Sequence, residues 1–166
     1  MKIRRLQKDD LPMRVDWMNN PKVYGSMHFD IPVVMENTVR WFARNHGNDR
    51  RADVAFTNDE GELVAFGGIT GINPELKMGE LYVFVCPTTQ TKGLGTEATR
   101  LLCEYGFAEL GLNKIYLETN DDNFAAQRVY EKVGFVLEGR KRQEYIRKDG
   151  TLGERFYYGL LKCELR

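Results

Sequence analysis

The sequence predicts an α/β fold: one domain over residues 1–166, with a mixed sheet of about seven strands and helices on both faces. Three observations predict it. A chain of 166 residues falls within the usual ~100–200 residues of a single domain and can bury a sizeable core. The apolar period changes from helical spacing to strand-like alternation at Ala52 and back again at Gly95. Strands and helices then alternate, which gives the order β-α-α-β-β-β-α-β-α-β-β, with helical crossovers between the later strands.

Each element has a local reason. Lys2–Leu6 reads as the first strand. Asp9 and Asp10 precede Leu11, Val15 and Met18 at helical spacing, and Pro12 is tolerated in a first turn. Asn19-Asn20-Pro21 ends that helix. An irregular link, Tyr24 to Pro32, leads to a second helix from Met35 to about Asn45, with Met35, Val39 and Phe42 on its stripe. Ala52–Thr57 and Leu63–Thr70 read as a hairpin about Asn58-Asp59-Glu60-Gly61. After the loop Gly71–Gly79, Glu80–Cys86 completes an antiparallel meander. A helix from Gly95 to about Gly111 carries Ala98, Leu101, Leu102 and Tyr105 on one side. Lys114–Thr119 is a strand, and Asn123 to Val133 a helix with Ala126, Val129, Tyr130 and Val133 aligned. Phe135–Arg147 and Arg155–Leu165 are strands joined at Lys148-Asp149-Gly150-Thr151.

Composition excludes several functions. Hydrophobic residues make up 42% and charged residues 29% of the chain, as in folded globular proteins. The 24 Lys+Arg balance 24 Asp+Glu, whereas a phosphate-backbone binder shows a basic excess, so no nucleic-acid partner is expected. No apolar run approaches the ~18 residues of a membrane span, and no membrane partner is expected. Met1–Asp10 is charged with no apolar stretch behind it, unlike a secretory signal. Cys86, Cys103 and Cys163 are odd in number, far apart and free of any CxxC pattern, which predicts neither disulfides nor a metal site. A cytoplasmic protein is the expectation.

The segment Cys86-Pro87-Thr88-Thr89-Gln90-Thr91-Lys92-Gly93-Leu94-Gly95-Thr96 joins a strand to a helix and sets two glycines beside the helix start. Unpaired backbone N–H groups and a partial positive charge make such a start a receptor for phosphate, and Lys92 and Thr96 add a charge and a hydroxyl. A glycine-rich turn that merely starts a helix gives the same spacing. The GxxxxGK[ST] loop is ruled out, because no Gly-Lys pair occurs in the chain. Gly93, Gly95 and Ala98 fit a dinucleotide pattern, with Glu118 twenty residues beyond Ala98. Against that pattern, Pro87–Lys92 separates the strand from the first glycine, and a meander precedes it where parallel βα units belong.

Gln90-Thr91-Lys92-Gly93-Leu94-Gly95 matches (Q/R)xxGx(G/A), and Asn123 through Phe135 matches NxxAxxxYxxxGF. With both motifs and the element order, the chain resembles the GNAT superfamily of acyl-CoA-dependent N-acyltransferases over essentially its whole length. The nearest branch is the one with ribosomal-protein alanine, polyamine and amino-sugar N-acetyltransferases. Asp16-Trp17-Met18-Asn19-Asn20-Pro21, Val39-Arg40-Trp41-Phe42 and Tyr145-Ile146-Arg147-Lys148-Asp149-Gly150 fit it. The resemblance implies direct transfer of an acetyl group from acetyl-CoA, as co-substrate and without a metal, to a primary amine. A small amine, such as an amino sugar or polyamine, is the expected acceptor. A protein N-terminus and a non-catalytic acyl-CoA-binding module are the alternatives, and a homodimer is left open.

Acetyl transfer sets three demands, and the resemblance supplies candidates for each. The amine arrives protonated, with a pKa of ~10 if lysine-like, and needs a base. Glu80 and Glu118 compete for that role, with Glu118 preferred for its place at a strand's carboxyl end. The thioester oxygen gains negative charge and needs preplaced N–H donors, which the resemblance assigns to the backbone around Phe84 and Val85. The departing thiolate gains from an acid, and Tyr130 is the candidate; read without the motif, it is a core aromatic. Asn123 lies seven residues before it, two helical turns on one face, and is expected to hold a pantetheine amide. Gln90, Thr91, Lys92, Gly93, Leu94, Gly95 and Thr96 are the expected pyrophosphate loop. Trp17, Met27, His28 and Phe29 are the expected acceptor pocket. His46 reads as surface, Cys86 as an ordinary thiol, and Arg140-Lys141-Arg142 as solvated edge charge.

Overall fold

The computed structural model describes residues 1–27, 29–89 and 91–166. Strands β1 (Lys2–Arg5), β2 (Ala52–Thr57), β3 (Leu63–Asn73), β4 (Met78–Val85), β5 (Lys114–Asn120), β6 (Val136–Ile146) and β7 (Leu152–Leu161) form one sheet in the order β1-β2-β3-β4-β5-β7-β6. Neighbours are antiparallel except β4 and β5, which run parallel. That parallel step needs a crossover, and α4 (Leu94–Ala108) supplies it.

Side-chain alternation divides the sheet between two cores. On one face Val54, Phe56 and Leu81 meet Ala98, Leu102 and Phe107 of α4. On the other, Ala55, Phe66 and Phe84 meet Leu11, Trp17 and Met18 of α1 (Leu11–Met18). The expected helices on both faces are present: α5 (Phe124–Val133) joins α4, while α2 (Pro21–Tyr24) and α3 (Met35–Asn45) join α1.

The differences from the sequence reading lie in the connections. Asn19-Asn20-Pro21 ends α1 but also starts α2: the Asn20 side chain accepts the Lys22 N–H at 3.0 Å, and Pro21 takes the first helical position. The loop expected over Gly71–Gly79 shrinks to a turn because Asn73 Oδ1 accepts the N–H groups of Glu75 and Leu76. The last strand begins at Leu152 and ends at Leu161, and a 3₁₀ turn, Lys162–Glu164, follows. Gly134 closes α5 at φ +112, and a Cβ there would lie 2.3 Å from the Glu164 carbonyl oxygen. Only glycine fits that stop.

Candidate active site

The site begins where the sheet comes apart. β4 and β5 pair from Met78/Lys114 to Glu80/Tyr116 and no further, although β4 runs on to Val85 and β5 to Asn120. The widening gap opens into a cavity of about 390 Å³, walled by Val85, Cys86, Gly95, Thr99, Val129 and Tyr130. Backbone accounting tells which N–H groups face it. Cys86 donates its N–H to Val64 O at 2.9 Å, and Phe84 pairs with Phe66 in unbroken register. Alternation therefore directs the Phe84 N–H to β3 and the Val85 N–H to the opened side. Of the two expected oxyanion donors, Phe84 is corrected to a sheet bond, and Val85 has its N–H on the opened side.

The glycine loop presents backbone. Gly93 caps α4 with φ +85, a left-handed conformation, and has no side chain to satisfy the first amides. Glu97 N–H is the first to close an α-helical bond, onto Gly93 O at 3.0 Å, so the amides of Leu94, Gly95 and Thr96 have no intrahelical partner. Leu94 is buried and anchors the turn, while Thr91 and Lys92 are exposed at the mouth. Gln90 lies outside the described residues. The cradle fits a pyrophosphate on backbone donors, and the gap behind it fits a thin pantetheine arm.

Tyr130 lines this cavity, with its ring 5.7 Å from Phe135 and 6.0 Å from Tyr158. Burial, with the neighbouring Tyr158 second, pushes its phenol up to about 12, so it stays protonated and able to donate. Asn123 departs from its expected role. It sits outside the helix as N-cap, with Oδ1 accepting the Ala126 N–H at 3.2 Å. It lines a neighbouring cavity of about 680 Å³ at the end of β5 instead of the one holding Tyr130.

The two carboxylates differ sharply. Glu80 stands at the fork, opposite Tyr116; burial and then the negative charge of Glu118 raise its pKa, and Lys141 and Arg155 only partly oppose them. Glu118, two residues along the other arm, is ion-paired with Lys141 and lies 3.6 Å from Arg155 Nη1. Lys141 is therefore a partner of the site, where solvated edge charge was expected. No hydrogen bond occupies the Glu80 carboxyl among the described residues.

On the acceptor side, Met27 and Phe29 line a third cavity of about 470 Å³. Trp17 is corrected to core: it is 6% exposed, packs with its ring tilted against Phe66 at 5.0 Å between centroids, and is absent from the walls of these three cavities. His28 lies outside the described residues. Sequence reasoning missed Lys22 of α2 and Ser26 just beyond it, both of which line the first cavity. Lys22 Nζ donates to Pro87 O at 3.2 Å and ties α2 to the loop that follows β4. The overlooked signal was Asn-Pro as a helix start. Among the described residues no His/Cys/Asp/Glu group has metal-binding proximity, and no helix is long and apolar enough to cross a membrane.

Comparison with known proteins agrees with this geometry. A family model described as the acetyltransferase (GNAT) domain matches residues 1–136. The spermidine N(1)-acetyltransferase of Escherichia coli strain K12 is 29% identical over 146 residues, covering 88% of this chain and 78% of that protein. Its namesake from Vibrio cholerae is 27% identical, covering 87% and 83%. A crystal structure of spermidine N-acetyltransferase from Vibrio cholerae with CoA and spermine superposes with TM-score 0.89 at 23% identity, over 98% of this chain and 96% of that one.

Proposed function

The chain belongs to the GNAT acetyltransferase family, and on that premise we propose that it moves an acetyl group from acetyl-CoA to a primary amine of a small molecule, polyamine or amino sugar, while both are bound. The observation that carries this reading is the convergence on one fork of Glu80, the Val85 N–H, the open amides of α4 and the Tyr130 hydroxyl. Acetyl-CoA supplies the activated acyl group as a thioester, and the amides of Leu94, Gly95 and Thr96 hold its pyrophosphate.

Glu80 takes the proton of the incoming ammonium, directly or through a water. Its raised pKa makes it a better proton acceptor than an ordinary glutamate, and its carboxyl accepts no hydrogen bond from the described residues, whereas Glu118 is engaged by Lys141. The Val85 N–H donates to the carbonyl oxygen as charge builds there. Tyr130 O–H donates to the sulfur as the C–S bond breaks. Lys141 and Arg155 hold Glu118 in place beside the fork; burial and then the Glu118 charge keep the Glu80 carboxyl basic, and the two cations only partly oppose them.

The names of the spermidine enzymes support a polyamine acceptor. The arginines on the third cavity wall support a less cationic one, such as an amino sugar. Three free cysteines fit work in the cytoplasm. The test is CoA release from acetyl-CoA across polyamines, amino sugars, amino acids and N-terminal peptides. Turnover of a small amine is the expected result. Preferred turnover of peptides would reassign the acceptor to a protein terminus, and acetyl-CoA binding without any turnover would leave a binding module.

A further inference from the structure

The third cavity is walled by a buried cation that no carboxylate in the described chain neutralises. Arg14 is only 6% exposed, and its guanidinium lies 4.7 Å from the Trp41 ring centroid and 5.8 Å from that of Phe84. Among the described residues its Nη1 donates to Met18 Sδ at 2.9 Å, a weak acceptor, and its other polar neighbour is the neutral Tyr82 hydroxyl. Other arginines of the fold are paired: Arg4 with Asp10 at 2.7 Å, and Arg51 with Asp53 at 2.7 and 2.8 Å. Asp53 is paired with Arg51 and also accepts the Tyr82 hydroxyl at 2.5 Å, and it makes no ion pair with Arg14. Arg51 itself stands 4.9 Å from the same Trp41 centroid. Two guanidiniums thus converge on one indole, of which only Arg51 is ion-paired, and Asp30 on the rim is exposed. A buried charge without a partner is costly, and a planar guanidinium stacked on an aromatic ring presents its edge for two-point binding of carboxylate or phosphate.

The cavity belongs to the reaction and not to a remote site. Tyr82 lines it and lies two residues beyond Glu80 on the same face of β4, about 7 Å along the strand. Thr70, also on its wall, is the β3 partner of Glu80. Met27 lines both this cavity and the one at the end of β5. We infer that Arg14 receives an anionic group, carboxylate or phosphate, carried by the acceptor itself, so that the acceptor is an amine with an anion on the same small molecule and not a polycation. This rests on the acetyl-transfer reading of the fork.

The experiment compares amines that differ only by the anion: putrescine with ornithine for a carboxylate, and glucosamine with glucosamine 6-phosphate for a phosphate, with spermidine alongside. In at least one pair the anionic member should show kcat/KM higher by on the order of 10–100-fold, the range of hydrogen bonds to charged groups. Arg14→Gln should erase that preference, with the loss falling in KM for the amine, while acetyl-CoA affinity is kept. Arg14→Lys, which retains charge without the fork, should keep part of it. Inorganic phosphate should compete with the amine and raise the melting temperature of wild type, and do so weakly in Arg14→Gln. Spermidine, putrescine or glucosamine outrunning every anionic partner would overturn the inference, as would a preference that survives Arg14→Gln. If no amine releases CoA, the transfer reading falls, and phosphate decides: stabilisation lost in Arg14→Gln supports the anion site, and an equal response in both proteins overturns it.

Discussion

The two faces of the sheet offer a ligand different kinds of contact. On the α4–α5 face the contacts offered are backbone amides at a glycine-capped helix and a smooth apolar wall of Gly95, Thr99 and Val129. On the α1–α3 face they are charged and aromatic side chains, Arg14, Trp41, Arg51, Asp53 and Tyr82, locked in a network. A backbone cradle depends on conformation, so one loop shape serves any chain that can form it. A side-chain network depends on identity, so each exchange re-specifies what binds. The first face is thereby suited to a common donor and the second to a particular acceptor. Glu80 and Val85 sit on the strand that both faces share.

The largest expected effects come from removing the proton carriers between the faces. Tyr130→Phe keeps the ring and its packing on Phe135 and Tyr158 and should lower kcat by about 10²–10⁴-fold, the usual worth of general acid–base catalysis. Its acetyl-CoA affinity and melting temperature should stay near wild type. Near-normal turnover with chemistry rate-limiting would return Tyr130 to the core. Glu80→Gln should cost a similar factor in kcat/KM while leaving acetyl-CoA binding intact, and Glu118→Gln less.

The pH profile sharpens the choice between the carboxylates. A base works deprotonated, so activity should rise with pH through the pKa of Glu80. Burial and Glu118 hold that pKa above the ordinary carboxylate range, so the midpoint should lie higher than for a free glutamate. Glu80→Gln should flatten this limb. Tyr130, pushed up to about 12, should add no falling limb near neutrality. A limb that persists in Glu80→Gln and vanishes in Glu118→Gln would move the base to β5.

Smaller effects test the backbone cradle. Gly93→Ala forces a Cβ into φ +85, which costs about 1–2 kcal/mol and should lower the melting temperature by roughly 2–8 °C, with weaker acetyl-CoA binding alongside. Lys92→Ala removes an exposed charge and should change acetyl-CoA affinity only a few-fold at physiological salt. A larger loss for Lys92→Ala than for Gly93→Ala would mean that side chains, not amides, hold the phosphates.

How far the sequence could be read follows the same division. The backbone of the α4–α5 face was legible because glycine and proline mark conformation directly: Gly93 and Gly134 both take positive φ where the motifs place them. The antiparallel meander and both crossovers followed from periodicity. The acceptor face was not, because its residues act through partners distant in sequence. Trp17 looked like a pocket aromatic and packs on Phe66, forty-nine positions away. Arg14 shares a helical stripe with Leu11 and Met18, so a charge at a buried position was visible, but its lack of a partner was not. Glu118 was preferred as base from its strand position alone, and Lys141, which pairs with it, lies twenty-three residues away on β6. Asn123 was read as helical, where its own cap places it just outside.

The division between faces is tested most directly by titrating acetyl-CoA calorimetrically into wild type, Gly95→Val and Glu80→Gln. Gly95 opens on the cavity, with only Val129 Cγ2 within 4 Å of an added Cβ, at 3.9 Å. The valine should therefore fold normally while filling the slot. Binding should be lost in Gly95→Val and unchanged in Glu80→Gln. Undiminished binding by Gly95→Val, or loss of binding in Glu80→Gln, would contradict the placement of the donor on the α4–α5 face.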